Sequence, residues 1–301
     1  MLQQTLKNPY VFAGKGLHTG TFSRIVVSPT PANSGINFKR VSDGATLPAL
    51  AQYVSSTARS TKLTCGDFSV QTVEHLLSAL RGLGVDNALI EVDGVEVPIL
   101  DGSARLYVEA ILADGLVQQD APRKCLEVKE EIEVKDEKSG SWIRISPSDV
   151  PSYDVTVDFG SRVLGVQSAS FKPLDHQYSK EIAPCRTFVF FHEIEYLFAN
   201  NLIKGGDVDN AIVIVEHPVT QEQVDNIAAK LGKSRIKVTP EGYLSNIELH
   251  YPNECCRHKM LDLVGDLSLC GAFLNAKVTA YKPGHGINTR AAACILQQFS
   301  E

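Results

Sequence analysis

Read for its apolar positions, the chain alternates short strand-like runs with amphipathic stretches. Arg24 to Ser28 and Ile36 to Lys39 predict strands on either side of a Pro/Ser/Gly turn. Val70 to Leu83 carries Val73, Leu76, Leu77 and Leu80 at i, i+3, i+4 and i+7, the spacing of one helical face. Gly84 ends that pattern and Asn87 to Val92 is a further strand-like run. Arg105 to Gly115 predicts a second helix closed by its glycine. Farther along, Cys125 to Val134 and Ser141 to Ile145 predict a hairpin, Tyr153 to Phe159 a strand, and Glu222 to Gly232 a short helix. Glu254 to Cys270 predicts a helix with Met260, Leu261, Val264 and Leu267 on one face. Ala276 to Tyr281 predicts a strand and Lys282 to Gly286 a loop. Thr289 to Phe299 predicts a closing helix with Asn288 as its N-cap.

A short echo suggests that this pattern is used twice. Val85-Asp86-Asn87-Ala88 recurs as Val208-Asp209-Asn210-Ala211. Each copy follows a helix-patterned segment (Glu74 to Leu83; His192 to Ile203) and runs into an apolar strand, Leu89-Ile90 or Ile212 to Val215. Two related halves are therefore expected, 1–120 and 124–301, joined through the polar stretch Gln118 to Lys124 with its Pro122.

Composition narrows the class. A chain of 301 residues with 44% hydrophobic and 21% charged residues is globular and not disordered. Its 29 Lys+Arg against 35 Asp+Glu leave a net charge of −6, which argues against a general binder of nucleic acid or anionic membrane. An anionic ligand would need a local basic group. Apolar runs such as Ala211 to Val215 are strand-sized, too short to span a bilayer. The start, MLQQTLKNPYVF, lacks the features of a signal peptide. Seven cysteines with no C-x-x-C spacing predict reduced thiols and a cytoplasmic location.

Three features carry candidate chemistry. His258, Asp262 and Asp266 stand at i, i+4 and i+8, on one face of the predicted helix, opposite its apolar stripe. A His and a carboxylate one turn apart can grip one metal ion; for that pair alone, a solvated polar face is the ordinary reading. Glu74-His75 lies off the apolar stripe of its helix. There a His could ligate a metal while the Glu acts as general base, or the pair could be a boundary His beside a surface Glu. His285 stands between Gly284 and Gly286, either as an exposed turn residue or as a proton-donating group close to a ligand. Gly14 to Gly20 is glycine-rich without phosphate-loop spacing. His176, His192, His217 and His250 have no partner spacing and read as ordinary.

Together, TVEHLLSAL, PILDGSA (Pro98 to Ala104), RHKMLDLVGDL (Arg257 to Leu267) and YKPGHGIN (Tyr281 to Asn288) resemble the UDP-3-O-acyl-N-acetylglucosamine deacetylases, metal enzymes of lipid A biosynthesis. GKGLHTG and CRTFVFFHEIEYL (Cys185 to Leu197) fit the same family, collinearly over essentially the whole chain. The resemblance implies an α+β fold of two related sandwich halves, their helices packed face to face and the active site between them. It makes His75, His258 and Asp262 the ligands of one Zn2+, with Fe2+ as the alternative. It makes Glu74 the general base and His285 the cation that stabilises the oxyanion and protonates the leaving amine. Asp266 would orient His285, and Thr187 would help hold the oxyanion. Lys259 would lie near the sugar-nucleotide and Phe188 would flank the sugar. The segment from Phe188 to Val213 would enclose the acyl chain, lined by Ile194, Ile203, Gly206, Val208 and Val213.

The expected reaction is removal of the N-acetyl group from acylated UDP-GlcNAc, with release of acetate. A monomer is expected, and in some members a dehydratase is fused to this enzyme. Departures from the family pattern are Cys255-Cys256 in place of bulkier apolar residues and Val208 in place of an aromatic. Lys62 and Thr64 lie in an expected loop near the metal, where the family varies. Two other readings stand beside this one. Another zinc amidase on the same scaffold would not turn over the nucleotide-sugar. A non-catalytic sugar-nucleotide-binding module would bind no metal.

Overall fold

The computed structural model describes residues 1–173, 177–199, 204–206, 210–230, 233 and 236–298. Its helices are α1 (Glu74–Leu83), α2 (Arg105–Asp114), α3 (Tyr178–Glu181), α4 (Phe191–Ala199), α5 (Gln221–Lys230), α6 (Glu254–Leu267) and α7 (His285–Gln298). Two large sheets are the main β layers, so the class is α+β as expected, and none of the described sheets closes into a barrel.

The first sheet runs in the order Tyr10–Lys15, Phe22–Pro29, Ala88–Val92, Ile36–Arg40, Thr46–Pro48. The second runs Ile132–Asp136, Ser141–Pro147, Phe273–Tyr281, Ser152–Asp158, Val166–Phe171. Each has the same plan. Two hairpins form the flanks, and the last strand in sequence enters between them, antiparallel to one and parallel to the other. That last strand lies between α1 and α2 in the first sheet, and between α6 and α7 in the second. One continuous apolar core runs through both sheets and these helices.

This repeat is not the one marked by the tetrapeptide echo. Val85 to Ala88 does lead into a central strand, but Ala211 leads into Ile212–Ile214, which pairs with Phe188–Phe190 in a separate two-stranded sheet. Topologically, the counterpart of α1 is α6. The expected joint, Gln118 to Lys124, also differs. Most of it is the strand Leu116–Pro122, paired antiparallel with Leu2–Leu6 across the start of the chain. Cys125–Glu127 is no part of a hairpin and instead pairs parallel with Phe273–Tyr281.

Local chemistry explains the helix ends. Val70 belongs to the strand Phe68–Gln71, and Thr72 takes a left-handed φ of 59°, so α1 starts only at Glu74. Gly84, with φ 81°, closes it by donating its N–H to the Leu80 carbonyl. At the other end of the chain, α7 starts at His285, four residues before the expected Thr289. Asn288 is therefore inside the helix, and its side chain bonds Asp266 in place of capping.

Helices α1 and α6 pack across each other at the centre of the molecule. Gly265 lies at their closest approach, where a Cβ would stand 2.1 Å from the Glu74 carbonyl oxygen. Replacing Gly265 by Ala must push the two helices apart, and such overpacking costs roughly 1–3 kcal/mol. Urea unfolding of Gly265→Ala should show a loss in that range or above it; wild-type stability would mean that the two helices separate without cost.

Candidate active site

Glu74 and His75 occupy the first turn of α1, and His258, Asp262 and Asp266 lie along α6. All five are buried, from 0% exposed for Asp266 to 6% for His75, so neither polar face is solvated. The α1–α6 crossing thus encloses ionisable groups, which is costly unless each finds a partner.

His75, His258 and Asp262 form a cluster whose candidate ligand atoms all lie within 4.8 Å of one another. The Nε2 atoms of His75 and His258 stand 3.6 and 3.4 Å from Asp262 Oδ1. His258 Nδ1 is 3.0 Å from the Cys185 carbonyl. Since a carbonyl only accepts, Nδ1 carries the proton and Nε2 presents a lone pair. Burial, against the attraction of Asp262, lowers the His258 pKa to about 3, so its imidazole is neutral at pH 7. Asp262 receives a hydrogen bond from Lys259 Nζ at Oδ2, 2.8 Å away, while its buried Oδ1 has no hydrogen-bond partner among the described residues. Burial works against that carboxylate, but Lys259 and His258 hold it well below its ordinary pKa. Two imidazole nitrogens and one orphaned carboxylate oxygen converging on a point fit a divalent cation such as zinc.

Next to this cluster lies a second set of groups. His285 Nδ1 is 3.1 Å from Asp266 Oδ2, which also accepts from Asn288 Nδ2 at 2.9 Å. Burial disfavours the charge on His285, but the carboxylates of Asp266, Glu74 and Asp262 outweigh it and raise its pKa to about 9. Burial raises the Glu74 pKa, opposed by His285 and His75. His285 is the first residue of α7, not a loop residue, so its position is fixed by a helix.

The groups open into a cavity of about 820 Å³. Glu74, His75, Thr187, Phe188, Lys259 and His285 line it, together with Ile194, Gly206 and Val213. Ile203 and Val208 lie outside the described residues. Phe188 starts the strand Phe188–Phe190 and Lys259 Nζ stands 5.5 Å over its ring. The Thr187 backbone N–H bonds the Gly102 carbonyl, which ties the PILDGSA segment to the cavity wall.

Several residues at the site carried no signal in the sequence. His192, read there as ordinary, lines the cavity, as do His18, Arg59 and Leu197. Lys62 and Thr64 are on the strand Lys62–Cys65 and not in a loop, and Thr61, just before it, reaches both Glu74 and Asp266. None of these stands at a telling spacing from another; GKGLHTG alone, through its glycines, could have drawn attention to His18.

Residues 3–228 and 225–297 match the family model described as "LpxC: UDP-3-O-acyl N-acetylglycosamine deacetylase". The chain is 44% identical over 301 residues to the "Bifunctional enzyme LpxC/FabZ" of Porphyromonas gingivalis, covering 99% of this chain and 65% of that protein. It is 42% identical over 292 residues to the protein of the same name in Bacteroides thetaiotaomicron, covering 96% of this chain and 63% of that one. It is 39% identical over 302 residues to the "UDP-3-O-acyl-N-acetylglucosamine deacetylase" of Teredinibacter turnerae, covering 98% of this chain and 90% of that protein. The chain thus spans less than two thirds of the two bifunctional relatives.

The geometry predicts about one tightly bound divalent ion per chain. Elemental analysis of the purified protein should find it, and His258→Ala and Asp262→Ala should lose most of it. Full occupancy in both variants would rule out this cluster as the metal centre.

Proposed function

The chain belongs to the UDP-3-O-acyl-N-acetylglucosamine deacetylase family, and from that premise we propose that it hydrolyses the N-acetyl group of UDP-3-O-(3-hydroxyacyl)-N-acetylglucosamine in lipid A biosynthesis. Water is consumed, and acetate and the free amino sugar leave. The supporting observation is one continuous cavity that joins the His75/His258/Asp262 cluster, the Glu74 and His285 pair and an apolar wall of Ile194, Leu197 and Val213.

In this reading His75, His258 and Asp262 hold zinc, which when bound polarises the acetamide carbonyl and makes water acidic enough to react near pH 7. Glu74 takes the proton of the attacking water at Oε1, since its Oε2 already accepts from Thr61. His285, kept protonated by Asp266, stabilises the oxyanion and gives a proton to the departing amine from Nε2. Thr187 adds its hydroxyl to the oxyanion's surroundings. Lys259 supplies positive charge toward the sugar-nucleotide, and Phe188 packs on the sugar. The acyl chain lies against Ile194, Gly206 and Val213 of the 188–213 segment.

The proposal extends to two related halves, 1–120 and 124–301, supported by the repeated sheet order. It includes a monomer, a cytoplasmic site of action, in keeping with the free thiols, and a second activity fused to this one, supported by the names of the bifunctional relatives. An immunoblot of the native protein tests the fusion by its mass.

Two predictions test the chemistry. Glu74→Ala should keep its metal and lose about 100-fold or more in rate, the usual scale for a general base. The reaction needs the protonated form of His285, whose pKa is raised to about 9. On the alkaline side activity therefore falls as pH rises through that value, and on the acid side it falls as the Glu74 carboxylate becomes protonated. Asp266→Asn should move this alkaline limb to lower pH, because it removes the largest force holding the proton; an unmoved limb would exclude His285 as the acid.

The acyl chain gives the most specific test. An amidase needs no apolar wall, whereas a buried chain gains about 0.8 kcal/mol per methylene. Wild-type enzyme should release acetate from the acylated substrate, and UDP-GlcNAc without the 3-O-acyl chain should react at least ~100-fold less efficiently. Gly206→Leu should erase most of that difference with the metal in place. Equal kcat/KM for the two substrates would return the protein to a generic amidase.

A further inference from the structure

Thr61 stands where the two carboxylates of the reaction are closest to sharing a partner. It is fully buried, at 0% exposure, and precedes the strand Lys62–Cys65. Its backbone N–H donates to Glu74 Oε2 at 3.0 Å, and its hydroxyl donates to Asp266 Oδ1 at 2.5 Å. Its carbonyl accepts the N–H of Val73, the residue before α1. One residue therefore bonds the first turn of α1 and the far end of α6 at once.

The direction of these bonds decides what they do. An ionised carboxylate only accepts, so the Thr61 hydroxyl must point its proton at Asp266. That bond fixes the plane of the carboxylate, and with it the aim of Oδ2 at His285 Nδ1 and Asn288 Nδ2. His285 Nδ1 is thereby committed, and Nε2 is the nitrogen left for the substrate. On the other side, the Thr61 N–H occupies Glu74 Oε2 and leaves Oε1 with no hydrogen bond from the described residues. A bond to a charged group is worth more than a neutral one, and both of these are made in a buried, low-dielectric place.

We propose that Thr61 is a positioning residue that holds the general base and the Asp266–His285 acid in one register. This rests on the deacetylase reading above, and deepens it by adding a residue that touches neither substrate nor metal. Its effect belongs in kcat, because the alignment of proton donor and acceptor matters in the transition state and not in ground-state binding.

The test compares Thr61→Val, which keeps shape and backbone N–H but removes the hydroxyl, with Thr61→Ser, which restores the hydroxyl. Thr61→Val should lower kcat by at least ~10-fold, the scale of a lost bond to a charged group, with KM within about twofold and full metal content. Thr61→Ser should stay within about threefold of wild type, on the same reasoning. In a His285→Ala background the Thr61→Val loss should shrink to about twofold or less, since the group it aims is gone. A purely structural role would carry the same loss into that background. A readout independent of turnover is the hydrogen-bonded Nδ1 proton of His285 in the NMR spectrum of 15N-labelled protein. It should be sharp in wild type and Thr61→Ser and broadened or shifted in Thr61→Val. Wild-type kcat or an unchanged Nδ1 signal in Thr61→Val, or a Thr61→Ser variant impaired beyond threefold, overturns the proposal. Absence of acetate release by wild type with the Nδ1 signals behaving as stated would sink the deacetylase reading alone.

Discussion

The α1–α6 crossing is the constraint on which the rest of the molecule depends. Gly265 meets the backbone of Glu74 with no room for a side chain, so the helices lie closer than side chains would ordinarily allow. That closeness brings Glu74 and His75 from one helix against His258, Asp262 and Asp266 from the other. Three carboxylates in a dry interface repel and would be destabilising on their own. Each is met by donors or cations. Asp262 has Lys259, Asp266 has three donors in Thr61, Asn288 and His285, and Glu74 has the Thr61 N–H with His285 nearby. Glu74 Oε1 and Asp262 Oδ1 have no hydrogen-bond partner among the described residues, and Asp262 Oδ1 faces the two imidazoles.

A further buried carboxylate organises the cavity's rim. Glu96 is completely buried and accepts four hydrogen bonds, from the N–H groups of His18 and Thr19 and the hydroxyls of Thr19 and Thr72. These bonds depress its pKa despite burial. They also explain GKGLHTG, whose glycines lack phosphate-loop spacing. A Cβ on Gly16 would stand 2.3 Å from Glu96 Oε2, so the glycine permits the carboxylate to approach the loop. Through Thr72 the same group fixes the left-handed residue just ahead of α1, and through Leu17, whose carbonyl accepts from Gly205, it ties the rim to the 188–213 segment.

What was legible in the residues was whatever is local. The stripe of α1, the i, i+4, i+8 series on α6 and the capping glycines are periodic facts, and they appear where expected. What was not legible depends on contacts between distant segments. Val70 has the right spacing for α1, but strand pairing with Lys62–Cys65 claims it. Asn288 has N-cap chemistry, yet a buried carboxylate from α6 is the stronger partner. The tetrapeptide echo was a match of letters, while the real repeat lies in strand order and leaves no common motif in α1 and α6. Thr61 and Glu96 carry no spacing signal at all, since the two carboxylates that Thr61 bonds are 13 and 205 residues away and the partners of Glu96 are 24 to 78 away.

In the repeated strand order, Arg105 opens the helix that follows the first central strand and His285 opens the one that follows the second, beside the crossing. A helix N-terminus carries a partial positive charge that disfavours an imidazolium there, as does burial. Left to those two effects, His285 would be neutral at pH 7 and unable to give up a proton. Asp266 reverses the balance, because it stands in hydrogen-bond contact with Nδ1 while the helix end acts only as a diffuse partial charge. Asp266 can do so only from the last turn of α6, and α6 reaches that place only because Gly265 lets it lie against α1. The close helix contact and the protonation of His285 are thus consequences of adjacent residues in one sequence.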